Sequence, residues 1–374
     1  MPLQIESLAV HAGAGPDAAT GAVAPPLHLS TTFRRGPAGE RVSGFEYARE
    51  SNPTQSRLEA ALAALEGGAA ALAFASGMAA ADALLSSLPS GSHVLIPRDV
   101  YHGVRVLAGD FLARLGIRTQ AIDVTNPAAV AAALTPATCC IWLETPSNPL
   151  LHITDIAVIA EIAHRAAAIV AVDSTFATPC LQQPLGLGAD VVMHSTTKYF
   201  GGHSDVMGGA LVFARRDAMH DAVEHTRHIR GAVMAPFNAW LTLRGLRSLP
   251  ARMAWHCRNA RAVAEFLAAH PRVEAVHWPG LPSHPQHVIA QRQMRDFGGM
   301  LSVQFRGGRD VALAVARKVQ LFTDATSLGG CESLIEHRAS VEGANPVSPQ
   351  NLLRLSIGLE HAEDLIADLA QALA

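Results

Sequence analysis

The chain has little charge of either sign and few aromatic side chains: of its 374 residues, 16% are charged and 5% are aromatic. The formal net charge is −3, from 29 basic and 32 acidic residues. No block of basic residues recurs that could neutralise a run of phosphates, so we expect no nucleic acid partner. A small anionic ligand is compatible with this composition.

Cysteine is also scarce. The five cysteines are an odd number and show no C-x-x-C spacing, which suits neither a disulfide framework nor a structural zinc site, and we expect no metal. The start, MPLQIESLAVHAGAGPD, lacks the basic segment and apolar run of a secretion signal. Glycines and charged residues interrupt the longest alanine-rich stretch, 60–88, so it cannot span a membrane. These absences predict a soluble, cytoplasmic protein without membrane contact.

The hydrophobic content, 49%, is high enough for two core-bearing regions at this length. Residues 1–55 are rich in Gly, Pro, Ser and Thr without sustained periodicity, which predicts an extended N-terminal arm with little core of its own that lies on another surface. Residues 56–240 alternate helical and short apolar segments, as in an α/β domain with a mostly parallel sheet. Residues 241–374 begin with a long amphipathic helix and then mix strands and helices, which predicts a smaller α+β domain.

Polar residues follow several of the apolar segments, where the strands of a parallel sheet bring ligand-binding groups together. Ser76, Gly77 and Met78 open a helix after LAFA and offer free backbone N–H groups to a phosphate. Hydroxyl donors could come from Ser195 and Thr197. Each of these also has an ordinary explanation as a helix cap or turn residue, so no single one decides the function.

Two charged residues complete this pattern. Asp173 ends the apolar segment IVAV, where a carboxylate needs a partner such as a protonated heteroaromatic nitrogen or, in the simpler explanation, a turn. Lys198 stands in HSTTKYFGGHSD, in a chain with few lysines. Holding a free lysine neutral at pH 7 costs roughly 4 to 5 kcal/mol, and a Schiff base with an aldehyde removes that cost. An anion cradle, an acid for a ring nitrogen and a lysine are together what pyridoxal 5′-phosphate (PLP) requires.

The chain resembles the trans-sulfuration, or Cys/Met metabolism, family of PLP-dependent enzymes. The similarity runs over nearly the whole length, through VHAG, PPLHLSTTF, YARESNPT, AFASGMAA, ETPSNP, VDSTFATP, HSTTKYFGGHSD, PFNAWLTLRGLRSL, SLGGCESLIEH and LLRLSIGLE. It implies the aspartate aminotransferase-like fold, fold type I of the PLP-dependent transferases, with a large mostly parallel-sheet domain and a smaller C-terminal domain.

The resemblance also implies site roles. Lys198 would form the Schiff base and would act catalytically together with Tyr101 and Asp173. The cofactor would be held by Tyr47, Arg49, Gly77, Met78, Tyr101, Asp173, Ser195, Thr197 and Lys198, and the first two would reach the phosphate of a neighbouring subunit. The substrate would be bound by Asn148, Ser327 and Arg354, and the last of these would grip its α-carboxylate. At least a dimer is therefore expected, and the family implies a dimer of dimers.

For the activity, we expect action at the γ-carbon of a homoserine-derived or sulfur amino acid, as in cystathionine γ-synthase or γ-lyase in methionine and cysteine metabolism. The alternatives are a cystathionine β-lyase and an O-acetylhomoserine sulfhydrylase, and, from a different class, a non-catalytic binding protein with this fold. Two features leave the substrate open. Glu332 could contact a distal amino group or be a plain turn residue, and loop 337–350 is short and has Arg338 where a proline often stands.

Overall fold

The computed structural model describes residues 3–343 and 346–374. Apolar segments of its first part form one seven-stranded sheet, with strands β1 (Ala70–Phe74), β2 (His93–Pro97), β3 (Arg118–Ile122), β4 (Thr138–Glu144), β5 (Ile169–Asp173), β6 (Val191–His194) and β7 (Gly209–Phe213). The spatial order is β1-β7-β6-β5-β4-β2-β3. β7 is antiparallel to both of its neighbours, and the other strands all run the same way. Their carboxyl ends therefore share one edge.

Helices cover this sheet on both faces. Alternate residues of β4 show it: Trp142 packs into a core with residues of the helix that begins at Gly77, whereas Leu143 packs with Ile159 on the opposite side. The helices of the chain are α1 (Ile5–His11), α2 (Pro53–Glu66), α3 (Gly77–Ser86), α4 (His102–Val106), α5 (Pro127–Ala133), α6 (Ile156–Arg165), α7 (Thr178–Leu181), α8 (Ala218–Arg230), α9 (Pro236–Leu246), α10 (Leu249–Ala269), α11 (His287–Gln293), α12 (Arg309–Lys318), α13 (Arg338–Val341) and α14 (Ala362–Leu373).

A second sheet lies in the C-terminal part. Its strands are β8 (Val273–His277), β9 (Met300–Phe305), β10 (Thr323–Asp324), β11 (Leu334–Glu336) and β12 (Leu352–Ser356), in the order β10-β11-β12-β9-β8. A separate apolar core joins this sheet to α10, α12 and α14. β11 and β12 are antiparallel and place Glu336 opposite Arg354, which positions both side chains for the site described below.

The α/β class and the mostly parallel large sheet confirm the prediction from sequence. The structure adds a helix within the N-terminal arm, α1, which buries Ala9 against the core that includes α2 and α10. At seven residues this helix is too short to give a sustained periodic pattern. Within the described residues, no helix is both long enough and apolar enough to cross a membrane.

Candidate active site

The shared carboxyl edge of the large sheet opens into a cavity of about 470 Å³. The structure brings most of the predicted site residues to its wall: Gly77, Met78, Tyr101, Asn148, Asp173, Ser195, Thr197, Lys198, Ser327 and Arg354. Tyr47 and Arg49 are not part of the wall. They lie on the arm, where Tyr47 is 46% exposed and the Arg49 guanidinium stacks 5.6 Å from the Tyr47 ring centroid.

The start of α3 is built as an anion cradle. Ser76 caps the helix by accepting a hydrogen bond from the N–H of Ala79 at 3.1 Å. The N–H groups of Gly77 and Met78 belong to the first turn, where a helix offers no acceptors, so they are available to an anion. Gly77 has to be small, since a Cβ there would stand 2.9 Å from the Cβ of Ser195. The cradle and the Ser195 side chain therefore adjoin.

The Thr197 hydroxyl already has partners in the chain. It donates to the carbonyl of Gly208 at 3.1 Å and accepts from the N–H of the same residue at 3.0 Å. These two bonds hold the Thr197 segment against the start of the following strand. Thr197 thus fixes the chain one residue before Lys198.

Lys198 projects into the cavity with one hydrogen bond, from its Nζ to Oγ of Ser327 at 2.8 Å. Burial, and next the positive charge of Arg354, lower the pKa of Lys198 to about 8. A lysine in this state is partly neutral near physiological pH, which is what a nucleophilic amine needs.

This lowered pKa gives a test on the apoprotein. The rate at which the Lys198 amine attaches to added pyridoxal phosphate should rise with pH and level off above about pH 8, because only the neutral amine is nucleophilic. Stopped-flow measurement of the visible absorbance of the bound cofactor follows this rate. A rate that keeps climbing to the ordinary lysine pKa near 10.4 would contradict the assignment.

Asp173 lies at the end of β5, on the floor of the cavity. Its Oδ1 accepts the N–H of Thr175 at 3.0 Å, and no ion pair to it is found among the described residues. Burial raises the pKa of Asp173. The carboxylate is thus held in place without a cation, and a protonated ring nitrogen would supply the missing partner.

Glu144, at the end of β4, was not predicted from the sequence. Its Oε2 accepts the backbone N–H of Tyr101 at 2.7 Å, and its Oε1 accepts the backbone N–H of Asn148 at 3.0 Å. Burial, and next the charge of Asp173 on the neighbouring strand, raise the pKa of Glu144 well above its usual range. One buried carboxyl group therefore fixes the two segments that carry Tyr101 and Asn148.

Replacing Glu144 with Gln should lower turnover about tenfold or more. The amide keeps one acceptor but turns its NH₂ toward a backbone N–H, so one of the two segments loses its partner. Steady-state kinetics and the circular dichroism of the bound cofactor check this result. Glu161→Gln, the same change at an exposed position of α6, is the control, and unchanged values in both variants would exclude a positioning role for Glu144.

Arg354 is 4% exposed and is held from three sides. Its Nη2 lies 2.7 Å from Oε2 of Glu336 and donates to the carbonyl of Ser327 at 2.9 Å, while its Nη1 donates to Oδ1 of Asn148 at 3.1 Å. Burial lowers the pKa of Arg354 to about 10. Ser327 has a φ of 83°, unusual for a residue with a side chain, and this conformation lets its hydroxyl meet Lys198 while its carbonyl meets Arg354.

The sequence left the roles of Glu332 and Arg338 open, and Tyr199 follows Lys198 directly in the chain. Glu332 is hydrogen bonded to the hydroxyl of Ser204 and is not part of the cavity wall. Tyr199 is a buried packing residue whose ring meets His256 edge to face. Arg338 does line the cavity. Residues 344 and 345 of the short loop 337–350 lie outside the described residues.

Comparison with known proteins decides the family. Residues 6–374 match the model of the family described as "Cys/Met metabolism PLP-dependent enzyme". The chain belongs to this family. The resemblance seen in the sequence motifs is thereby confirmed, and so is membership in a family of PLP-dependent enzymes.

Relatives within this family have several activities. The chain is 53% identical to cystathionine gamma-synthase of Mycobacterium tuberculosis, over 98% of this chain and 95% of that protein. It is 43% identical to cystathionine beta-lyase of Coxiella burnetii, over 99% and 97%. The crystal structure of cystathionine gamma-lyase from Lactobacillus plantarum complexed with L-serine superimposes with a TM-score of 0.95 at 40% identity, covering 99% of this chain and 98% of that one.

The cavity fits the cofactor of this family. The N–H groups at the start of α3 are free to bind its phosphate. The Asp173 carboxylate has no ion pair among the described residues, and the ring nitrogen would provide one. The Lys198 amine is hydrogen bonded to the neutral hydroxyl of Ser327 and would bind the aldehyde.

Proposed function

We propose that the protein is a PLP-dependent trans-sulfuration enzyme that acts at the γ-carbon of a homoserine-derived or sulfur amino acid, as a cystathionine γ-synthase or γ-lyase does. The observation that carries the proposal is that Lys198, Asp173 and Arg354 line one cavity together with the anion cradle of α3. A protein that only binds a ligand has no need for a lysine with a lowered pKa beside a carboxylate-binding arginine. The γ-synthase name of a relative with 53% identity supports the γ-carbon.

When bound, PLP supplies an electron sink that makes a proton at the substrate Cα acidic. Gly77, Met78 and Ser195 would hold its phosphate, Tyr101 would stack on its ring, and Asp173 would pair with its ring nitrogen. Arg354 would bind the substrate α-carboxylate through a charge-assisted hydrogen bond, which orients the amino acid. Asn148 is placed to assist, because its amide already contacts Arg354.

The lysine amine is the base in this scheme. With a substrate amino acid in the site, the Nζ of Lys198 would remove the proton from Cα, and its lowered pKa favours this role near neutral pH. Action at the γ-carbon requires a second proton to leave Cβ, and Lys198, which lines the cavity, would again be the base. Tyr101 is the second candidate for proton transfer, since its ring lines the same wall.

The proposed assembly is at least a dimer. Tyr47 and Arg49 are exposed on the arm and are not part of the cavity wall of their own chain. Arg49 donates a hydrogen bond to the carbonyl of His228 at 3.0 Å. In a dimer, Arg49 and Tyr47 of a second copy would add a guanidinium and a phenol to the phosphate site. A dimer of two such dimers is the form that the family implies.

Substrate turnover tests the proposal directly. Holoenzyme is incubated separately with cystathionine, with O-succinylhomoserine plus cysteine, and with O-acetylhomoserine plus sulfide, and the keto acid or thioether formed is identified. We expect cystathionine from the second mixture, or 2-oxobutyrate from the first. Pyruvate alone from cystathionine would instead show a β-lyase, the activity named for the relative with 43% identity. No product from any mixture, with cofactor bound, would favour the non-catalytic binding protein.

A further inference from the structure

His152 is not part of the cavity wall, but it belongs to a cluster of side chains next to two loops that form this wall. Its Nδ1 lies 2.8 Å from Oδ2 of Asp99, and the hydroxyl of Ser147 donates to the same oxygen at 2.5 Å. The backbone N–H of His152 donates to Oγ of Ser147 at 3.1 Å. The imidazole and the hydroxyl therefore meet at one carboxylate.

This cluster joins the two loops. Asp99 stands two residues before Tyr101, in the segment between β2 and α4, and Ser147 stands directly before Asn148, in the segment after β4. Ser147 is also tied to His152 through the backbone, since its N–H donates to the carbonyl of His152 at 3.0 Å. A weaker contact between His152 and Asp99 would therefore give both loops more freedom.

Glu144 connects the same two loops from the inside of the protein, through backbone N–H groups. Glu144 is 6% exposed, whereas the side chains of Asp99 and His152 are 21% and 36% exposed. The connection through His152 is thus the one that solvent reaches. It can gain and lose a proton while the inner connection stays in place.

The strength of the His152 contact depends on charge. The hydrogen bond with Asp99 raises the pKa of His152 above its usual value near 6.5. Burial opposes the charge of Asp99, but the hydrogen bonds from His152 and Ser147 outweigh it and lower the pKa of that carboxyl. The charge on His152 is therefore complete below about pH 6.5 and is lost as the pH rises through its raised pKa. A neutral imidazole can still donate a hydrogen bond, but a weaker one.

Three further titratable groups face His152 from other parts of the chain. They are Asp123, which follows β3, His277, at the end of β8, and His284, before α11. Burial lowers the pKa of both histidines, to about 4 for His284, so they are mostly neutral where His152 titrates. The negative charge of Asp123 favours the protonated form of His152. His152 is then the histidine of this group whose charge changes above about pH 6.5.

We propose that protonated His152 is a positioning residue of the active site, and that through Asp99 and Ser147 it holds the two loops that contact cofactor and substrate. The inference rests on the proposed function, which places Tyr101 against the cofactor ring and Asn148 beside the α-carboxylate. Loss of the His152 proton should then weaken cofactor binding without unfolding the protein.

Two substitutions fix the charge at position 152. His152→Lys keeps a cation opposite Asp99 from about pH 6 to about pH 9, and His152→Gln keeps a hydrogen-bond donor without charge. The dissociation constant of pyridoxal phosphate is measured for each apoprotein by absorbance titration over this range. We expect the Gln variant to bind roughly threefold to tenfold more weakly than the Lys variant throughout. The unmodified protein should match the Lys variant near the acid end and the Gln variant near the alkaline end.

A similar histidine–carboxylate pair away from the cavity serves as the control. Nε2 of His164 lies 2.9 Å from Oδ2 of Asp190, and neither residue lines the cavity. His164→Gln should leave the dissociation constant unchanged at every pH, and a loss of the same size there would overturn the inference. Equal dissociation constants for the unmodified protein and both variants at position 152 would overturn it too, even if the Gln variant had a lower thermal midpoint, because the pair would then only support the fold.

Cofactor affinity does not depend on which substrate is turned over. A failed turnover test would therefore refute the proposed reaction, whereas the titrations alone decide the role of His152. Should the Gln variant not fold, His152→Lys carries the test: it should bind the cofactor as the unmodified protein does near pH 6 and more tightly than the unmodified protein near about pH 9. The same pH dependence in both proteins would contradict the proposed role.

Discussion

Lys198→Ala is expected to lose activity by at least roughly 10³-fold and to lose the covalent attachment of the cofactor. Both effects have one cause, since the Nζ of this residue is the only amine in the described cavity wall and would serve as attachment point and as base. The variant should still fold, because the side chain gives up a single hydrogen bond, to Ser327. Borohydride reduction of the holoenzyme, followed by peptide mass spectrometry, locates the attachment.

The small number of lysines makes the result of this labelling experiment easy to interpret. Lysine occurs at two positions, 198 and 318, so the label has few places to go. Lys318 is exposed at the end of α12, and Lys318→Arg is the matched control that should keep both activity and label. Label on Lys318 or on no lysine would overturn the account of the site, as would full activity of Lys198→Ala. Partial recovery of Lys198→Ala by an added small amine would support the role of Lys198 as a base.

The three parts of the site that were argued from the sequence pattern have one property in common: they lie at or just after the end of an apolar strand. Asp173 and the Ser76–Met78 segment stand at the carboxyl ends of β5 and β1, and Lys198 follows β6. In a sheet whose strands run the same way, these positions converge whatever the details of packing. Sequence patterns alone therefore placed them correctly at one edge.

Glu144 shows what such patterns miss. It is the last residue of a buried strand, and its importance comes from two backbone N–H groups, those of Tyr101 and Asn148, that no side-chain pattern encodes. The resemblance named Ser327 but not its positive φ, which depends on the surrounding contacts and not on the residue type. The strands β10 and β11, of two and three residues, are too short for any periodicity. What escaped prediction was local backbone geometry, and the class of fold did not depend on it.

Asp173→Asn is expected to lower turnover by about 10² to 10⁴ while the cofactor stays attached. The amide oxygen can still accept the N–H of Thr175, so the loop keeps its shape, but a neutral amide cannot stabilise a protonated ring nitrogen. Kinetics and the spectrum of the holoenzyme measure the two effects separately. Asp221→Asn, the same change on the exposed side of α8, should leave both unaffected.

The thermal stability of the apoprotein is a second measurement on Asp173→Asn, and here we expect no loss. Burial raises the pKa of Asp173 above its unfolded value, so its ionised form is disfavoured in the folded protein and costs stability at every pH above the unfolded pKa. Removing the charge should therefore leave the thermal midpoint of the apoprotein at pH 7 unchanged or higher. A variant that is inactive and also less stable would show that Asp173 mainly supports the fold. Lost activity with retained or increased stability is the signature of a carboxylate kept for a cationic partner that the folded chain alone does not provide.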